Sequence, residues 1–344
     1  ELCVEACVKS ARPTEGGATT LTYTVMDALS KLFLFLLRVA DKEASNVVIR
    51  VNLLNRILTA IARVLMNDHE EKKANRSSFD QRPYLRLLSG LMKDLGQSEP
   101  HKREPNPSAV PLLTVYYQLF VVLTPATVPG FAFAWLQLIS SKHFLPQLLQ
   151  VKEEKGWPYM HRLLLSLFLF LQRFLKFAQM TDAIRKLYKG TLRVLLMVVH
   201  DFPEFLCYYQ MSFCDVIPPT CIQLRNLILS AFPRSMRLPD PFTPNMKIES
   251  LQEILHLPRL TDNYSSVLGG TVRQRLDSFL NTRQPADFPQ TLPQFLMIPA
   301  AQGQSGNAYN VPIMNCLATY LGEKGALAAT SGTGTAAGAG ASKE

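Results

Sequence analysis

The chain has 344 residues, 47% of them apolar and 18% charged, with a formal net charge of +9; this excludes a disordered or collagen-like chain and supplies a sizeable core. Six cysteines in that length exclude a disulfide-framework protein and fit a reducing compartment. Residues 1–200 hold 26 basic against 16 acidic side chains, and residues 201–320 hold 8 against 9, but the bases are scattered as on solvated helix faces, with no arginine–aromatic run of an RNA-binding signature.

Residues 1–13, ELCVEACVKSARP, contain acids and lack the apolar core of a signal peptide. Residues 1–19 are expected to be a partly ordered lead-in. From there the dominant period is helical. Val25, Leu29, Leu32, Phe33 and Leu36 form one stripe, as do Leu54, Ile57, Leu58, Ile61 and Leu65, and later Leu164, Leu167, Phe168, Leu171 and Leu175. Spacings of three, four and seven put each set on one helix face. The mixed-sign run Glu70-Glu71-Lys72-Lys73-Ala74-Asn75-Arg76 reads as a loop. Gly96 suits a helix C-terminus.

From Pro105 to Ser141 there is no charged residue, and a membrane helix needs about 20 apolar residues. Pro111, Pro125 and Pro129 divide the stretch, so two buried helices of a packed hairpin are expected, not a membrane span. Gly156-Trp157-Pro158 reads as a helix stop followed by a start, since proline fits the first turn. Asp182 is expected to cap a helix running toward Val199. The whole predicts roughly ten to thirteen helices, mostly of about 12–22 residues. Many consecutive helices with short connections imply an all-α solenoid of helical hairpins, HEAT-like, with degenerate repeats.

The run His200–Pro244, HDFPEFLCYYQMSFCDVIPPTCIQLRNLILSAFPRSMRLPDPFTP, is broken by seven prolines. His200, Cys207, Cys214 and Cys221 recur every seven residues, but zinc ligands usually pair two to four residues apart, and Pro203, Pro218 and Pro219 prevent the single helix that would align them. His200-Asp201 suggests an acid–base pair, but neighbours on a helix do not face each other; Asp201 reads instead as the cap of a helix starting at Pro203. What remains is surface for partners. Aromatic and arginine side chains are favoured at interface hot spots, which singles out Phe202, Phe205, Tyr208, Phe213, Arg225, Arg234, Arg237 and Asp240 as candidate protein-binding residues. The competing reading is that the aromatics only lock a junction between helices.

After about Gly322 the composition becomes small and low in complexity, and residues 323–344 are expected to be a disordered tail or linker. Gly332-Thr333-Gly334 and the following Thr335-Ala336-Ala337-Gly338 mimic a dinucleotide loop without the strand and helix it needs. No GxSxG elbow, HExxH or P-loop lysine occurs, so no catalytic residue, cofactor or metal is expected.

From Leu187 to Pro244, LYKGTLRVLLMVVHDFPEFLC and FCDVIPPTCIQLRNLILSAFPRSMRLPDPFTPN, with KGWPYM before them, closely resemble the C-terminal domain of the Not-one family, the scaffold subunit of the CCR-NOT (Ccr-four–Not) mRNA deadenylase complex. VNLLNRIL, RPYLRLL, VPGFAFAWLQLIS and GNAYNVPIMNCLATYLG extend the likeness over most of residues 20–322. The resemblance implies a HEAT-like platform, truncated relative to the family domain, that binds the Not-two and Not-three/five subunits and mRNA-specific recruiting proteins. It further implies indirect action on RNA through poly(A) shortening, translational repression and decay, in the cytoplasm and also the nucleus, with the nucleases on other subunits. A basic helical repeat that binds RNA directly is the alternative.

Overall fold

The structure, a computed structural model, describes residues 1–11, 23–44, 47–96, 109–176, 180–234, 240, 242, 244, 247, 268–298 and 308–332. Fourteen α-helices of 5 to 28 residues lie among them. The chain divides into two compact units, one of residues 1–202 and 216–224, the other of residues 203–215 and 225–344.

The first unit is a two-layered stack. It contains α1 (Leu2–Ser10), α2 (Thr24–Ala44), α3 (Val47–Ala74), α4 (Arg82–Gly96), α5 (Ala109–Val122), α6 (Ala132–Ile139), α7 (Leu145–Leu149), α8 (Trp157–Leu175) and α9 (Asp182–Asp201). In one layer α2 packs on α4, α4 on α6 and α6 on α9; in the other α3 packs on α5 and α5 on α8. The α2/α3 and α8/α9 pairs join the layers. Packing on the second or third neighbour within a layer and on the adjacent helix across layers is the HEAT-like arrangement expected from sequence.

The α3 and α8 stripes point inward as their spacing dictates: Leu54, Ile61, Leu65, Leu164, Leu167 and Leu171 are fully buried. The α2 stripe does not. Of that stripe only Leu29 is buried; Met26, Leu34 and Leu37 face the core with it, while Val25, Leu32 and Leu36 are 37%, 51% and 42% exposed. The helix is apolar on two sides, and periodicity alone selected the wrong one. The helical hairpin expected at Pro105–Ser141 is also rearranged: α5 packs chiefly on α3 and α8, and α6 on α4 and α9. The Trp135 indole N–H donates to the Phe120 carbonyl at 2.9 Å and ties the two segments, both side chains being wholly buried. Among the described residues no helix is long and apolar enough to cross a membrane.

Helix ends obey local chemistry. Thr181, not Asp182, is the N-cap of α9, its Oγ1 accepting from Ile184 N–H at 3.4 Å. Asp182 occupies the first turn, where its charge suits the helix dipole. Gly156 precedes α8 because a Cβ there would stand 1.9 Å from the Leu148 carbonyl oxygen. Helix α3 runs through Ala74, so the charged run at Glu70 is helical, with Lys73 and Glu70 paired at 3.5 Å, and not a loop.

The other unit takes most of α10 (Pro203–Val216) and the end of α11 (Ile222–Leu229), with α12 (Gly270–Thr282), α13 (Phe288–Leu296) and α14 (Val311–Gly332). Leu268, Leu276, Phe288, Cys316, Leu317 and Tyr320 form its small core. A two-residue antiparallel pair, Met297–Ile298 with Ala308–Tyr309, leads into α14. The Tyr320 hydroxyl donates to Asp277 at 2.6 Å, locking α14 to α12. Helix α14 continues past the compositional boundary to Gly332, because Ala, Leu, Lys and Glu at 323–329 are good helix formers. The rest of the expected disordered tail, 333–344, lies outside the described residues.

Candidate functional site

Helix α10 arises where Pro203 supplies a pre-set φ at a first turn. Phe205, Tyr209 and Phe213 then fall four residues apart, on one face. Their ring centroids lie 5.3 Å (Phe205–Tyr209), 6.3 Å (Tyr209–Phe213) and 6.1 Å (Phe205–Phe213) apart. Such tilted and edge-to-face contacts are favoured by ring quadrupoles. Phe205 and Phe213 are wholly buried. They therefore belong to the core and offer no surface, which corrects their place among the contact candidates. Tyr208 is half-buried and stands edge-on to Tyr209 at 4.8 Å. Phe202 is half-buried as the C-cap of α9, its N–H donating to the Val198 carbonyl at 2.8 Å.

Arg225 is also structural. From α11 its Nη1 donates to the Cys214 carbonyl at 2.6 Å, near the end of α10. Helix C-termini leave carbonyls without intrahelical donors, and a cation there also answers the dipole. Beside it, Asn315 of α14 donates to the Asp215 carboxylate. Burial pushes the Asp215 carboxyl above the usual carboxylate range, against that hydrogen bond and the nearby Arg225 charge. Burial likewise raises the thiols of Cys207 and Cys214, which disfavours the reactive thiolate.

The exposed face lies further along. The Arg234 backbone N–H donates to the Glu204 carboxylate at 2.9 Å, which anchors the segment to the first turn of α10 while the residue itself stays exposed. The Asp240 carboxylate accepts from Phe242 N–H at 3.0 Å, closing a local turn. That turn presents Phe242, 88% exposed, and Phe232 and Leu229 are about half exposed. Arg237 lies outside the described residues. Sequence reasoning passed over Leu229, Phe232 and Phe242. The available signal was the setting of Phe242 after Pro241, where no regular helix could bury it.

His200 and Asp201 do meet, Nδ1 to Oδ1 at 2.8 Å. They end α9, where the helix geometry that separates neighbours lapses. Asp201 is thus the last residue of α9 and not the cap of α10. The imidazole is 87% exposed, with no enclosure to keep water from a reaction. Among the described residues no three His, Cys, Asp or Glu side chains are grouped to hold a metal ion.

Known proteins resemble this chain as follows. The family model described as "CCR4-Not complex component, Not1" matches residues 97–343. "CCR4-NOT transcription complex subunit let-711" of Caenorhabditis elegans is 39% identical over 340 residues, covering 93% of this chain and 12% of that protein. "General negative regulator of transcription subunit 1" of Saccharomyces cerevisiae is 30% identical over 256 residues, covering 72% and 12%. The chain thus spans about an eighth of the length of these relatives. Its fold is similar to the NOT1 superfamily homology domain from Chaetomium thermophilum, with a TM-score of 0.83 at 22% identity over 96% of this chain and 63% of that one. It is also similar to a Not1 C-terminal domain in complex with Not4, with a TM-score of 0.75 at 24% identity over 94% and 65%. The family model covers well over half of the chain, so the chain belongs to the Not1 family.

Proposed function

We propose that this chain is a non-catalytic docking platform of the CCR4-NOT scaffold, acting in the cytoplasm and also the nucleus. It takes extended segments of the Not-two and Not-three/five subunits and of mRNA-recruiting proteins, and so supports deadenylation, translational repression and mRNA decay. A similar Not1 C-terminal domain is known in complex with Not4, which favours a Not4-type segment as a further ligand. The observation that carries the reading is the exposure of the apolar side chains Leu229, Phe232 and Phe242, close in sequence to the exposed Arg234 and Asp240. Exposed aromatics with flanking charge are the anchors that protein partners use. Copurification tests it: the tagged chain, coexpressed with Not-two and Not-three/five, should retain them through size exclusion. Retention of neither subunit overturns the reading.

The surplus of ten basic groups in residues 1–200 favours direct RNA binding as the second reading. Affinity for a single-stranded RNA would then fall steeply with salt. No binding at low salt removes that reading.

A further inference from the structure

A cleft of about 360 Å³ opens between α2 and α4, within the stack. Three cations, Lys31, Arg86 and Lys93, line it against one carboxylate, Asp27. Arg86 grips Asp27 through both of its oxygens, at 2.6 and 2.7 Å. Lys31 and Lys93 are exposed and make no ion pair among the described residues. The cleft therefore holds a surplus of two positive charges.

A second feature is independent of charge. Ser30 lines the same cleft, is only 3% exposed, and its hydroxyl has no hydrogen-bond partner. A buried hydroxyl left unpaired is costly, and an acceptor reaching it from the cleft would supply the missing bond. Gly90 packs against Ser30: a Cβ there would come 2.9 Å from the hydroxyl oxygen, so the glycine lets α4 approach α2 closely beside the cleft.

These features specify a ligand. A phosphoryl group carries about −1.5 to −2 charges and three acceptor oxygens, matching the surplus charge and the Lys31, Lys93 and Ser30 donors. A single carboxylate matches neither. His143 is the one aromatic ring lining the cleft, which has no Phe, Tyr or Trp, so successive nucleic-acid bases would find no row of stacking platforms. We propose that the α2/α4 cleft binds a phosphoserine or phosphothreonine in an extended segment of a partner protein. This deepens the docking-platform reading and rests on it: phosphorylation of a recruited protein would switch its hold on the scaffold.

The test is fluorescence anisotropy on the 344-residue chain with four fluorescein-labelled probes. These are a Gly/Ser peptide bearing one phosphoserine, its unphosphorylated twin, a glutamate twin, and a uridine oligomer. The phosphopeptide should bind about tenfold or more tighter than either twin, the scale of one or two charge-assisted hydrogen bonds. Lys31→Glu with Lys93→Glu should abolish that preference, and Ser30→Ala should weaken binding about threefold, as for one neutral hydrogen bond. Lys186→Glu with Lys189→Glu, an equal charge change on exposed α9 positions, should leave the preference intact. Equal binding of the twins, equal loss in the α9 variant, or tighter uridine binding through the same lysines each overturns the proposal. If the reversed-charge pair fails to melt cooperatively, Lys31→Gln with Lys93→Gln serves instead. The probes contain no CCR4-NOT subunit, so failure here leaves the copurification result standing.

Discussion

Two groups of aromatic side chains have opposite fates. On α10, Phe205, Tyr209 and Phe213 recur every fourth residue and are buried. Some twenty residues on, Phe232 and Phe242 stand among prolines and face water. The difference is period, not composition. A helix collects residues four apart onto one face and carries them into the core together. Prolines interrupt that collection and leave each ring alone at the surface. Aromatic density therefore marks importance without saying of which kind.

The largest expected effect breaks the buried side. Phe213→Ala should cost about 3–5 kcal/mol in urea unfolding, the usual price of emptying a phenylalanine site. If the loss is below about 1 kcal/mol, the α10 seam is not core. The stack offers an intermediate, pH-dependent handle that neither aromatic group shares. Burial lowers the His161 imidazole from its usual 6.5 to about 4. The unfolded chain then takes up a proton that the folded chain refuses. Stability should be full above pH 6.5 and fall by about 3 kcal/mol as the pH drops to 4. His161→Gln should flatten that slope in melts recorded at successive pH values; an unchanged slope would mean that other groups set it.

Arg225→Ala should cost about 1–3 kcal/mol by stranding the Cys214 carbonyl. That loss would show in thermal melts before any partner is added, and an unchanged melting curve with lost binding would return Arg225 to the contact surface. The smallest stability effect belongs to the exposed side. Phe242→Ala should shift stability by less than about 0.5 kcal/mol while releasing Not-two and Not-three/five in copurification. Loss of the melting transition would instead place Phe242 in the fold.

Much of the architecture was legible from spacing. The α3 and α8 stripes, the helix stop at Gly96 and the start at Trp157 stand where sequence put them. Helix α2 failed on phase. With Leu29, the set Val25, Leu32 and Leu36 makes as good a stripe as Met26, Leu34 and Leu37 do, and the neighbour that chooses between them, α4, is some fifty residues away. The candidate site was half legible. Arg234 and Asp240 sit on exposed chain, but Phe205, Phe213 and Arg225 were named for residue type, while burial and hydrogen bonding decide their roles. The α2/α4 cleft left no local trace, since Ser30, Gly90 and Lys93 meet only when the helices pack.

The ladder-like packing of α2 on α4, α4 on α6 and α6 on α9, with a second layer beside it, makes the stack nearly one-dimensional, each step held by its near neighbours. Energy in such a body is not pooled. A rung at the end can loosen while the middle stays closed, and a ligand gripping two successive rungs adds its binding energy to their junction alone. The α2/α4 cleft straddles one such junction, so an occupant there would act as a clasp on that step of the ladder.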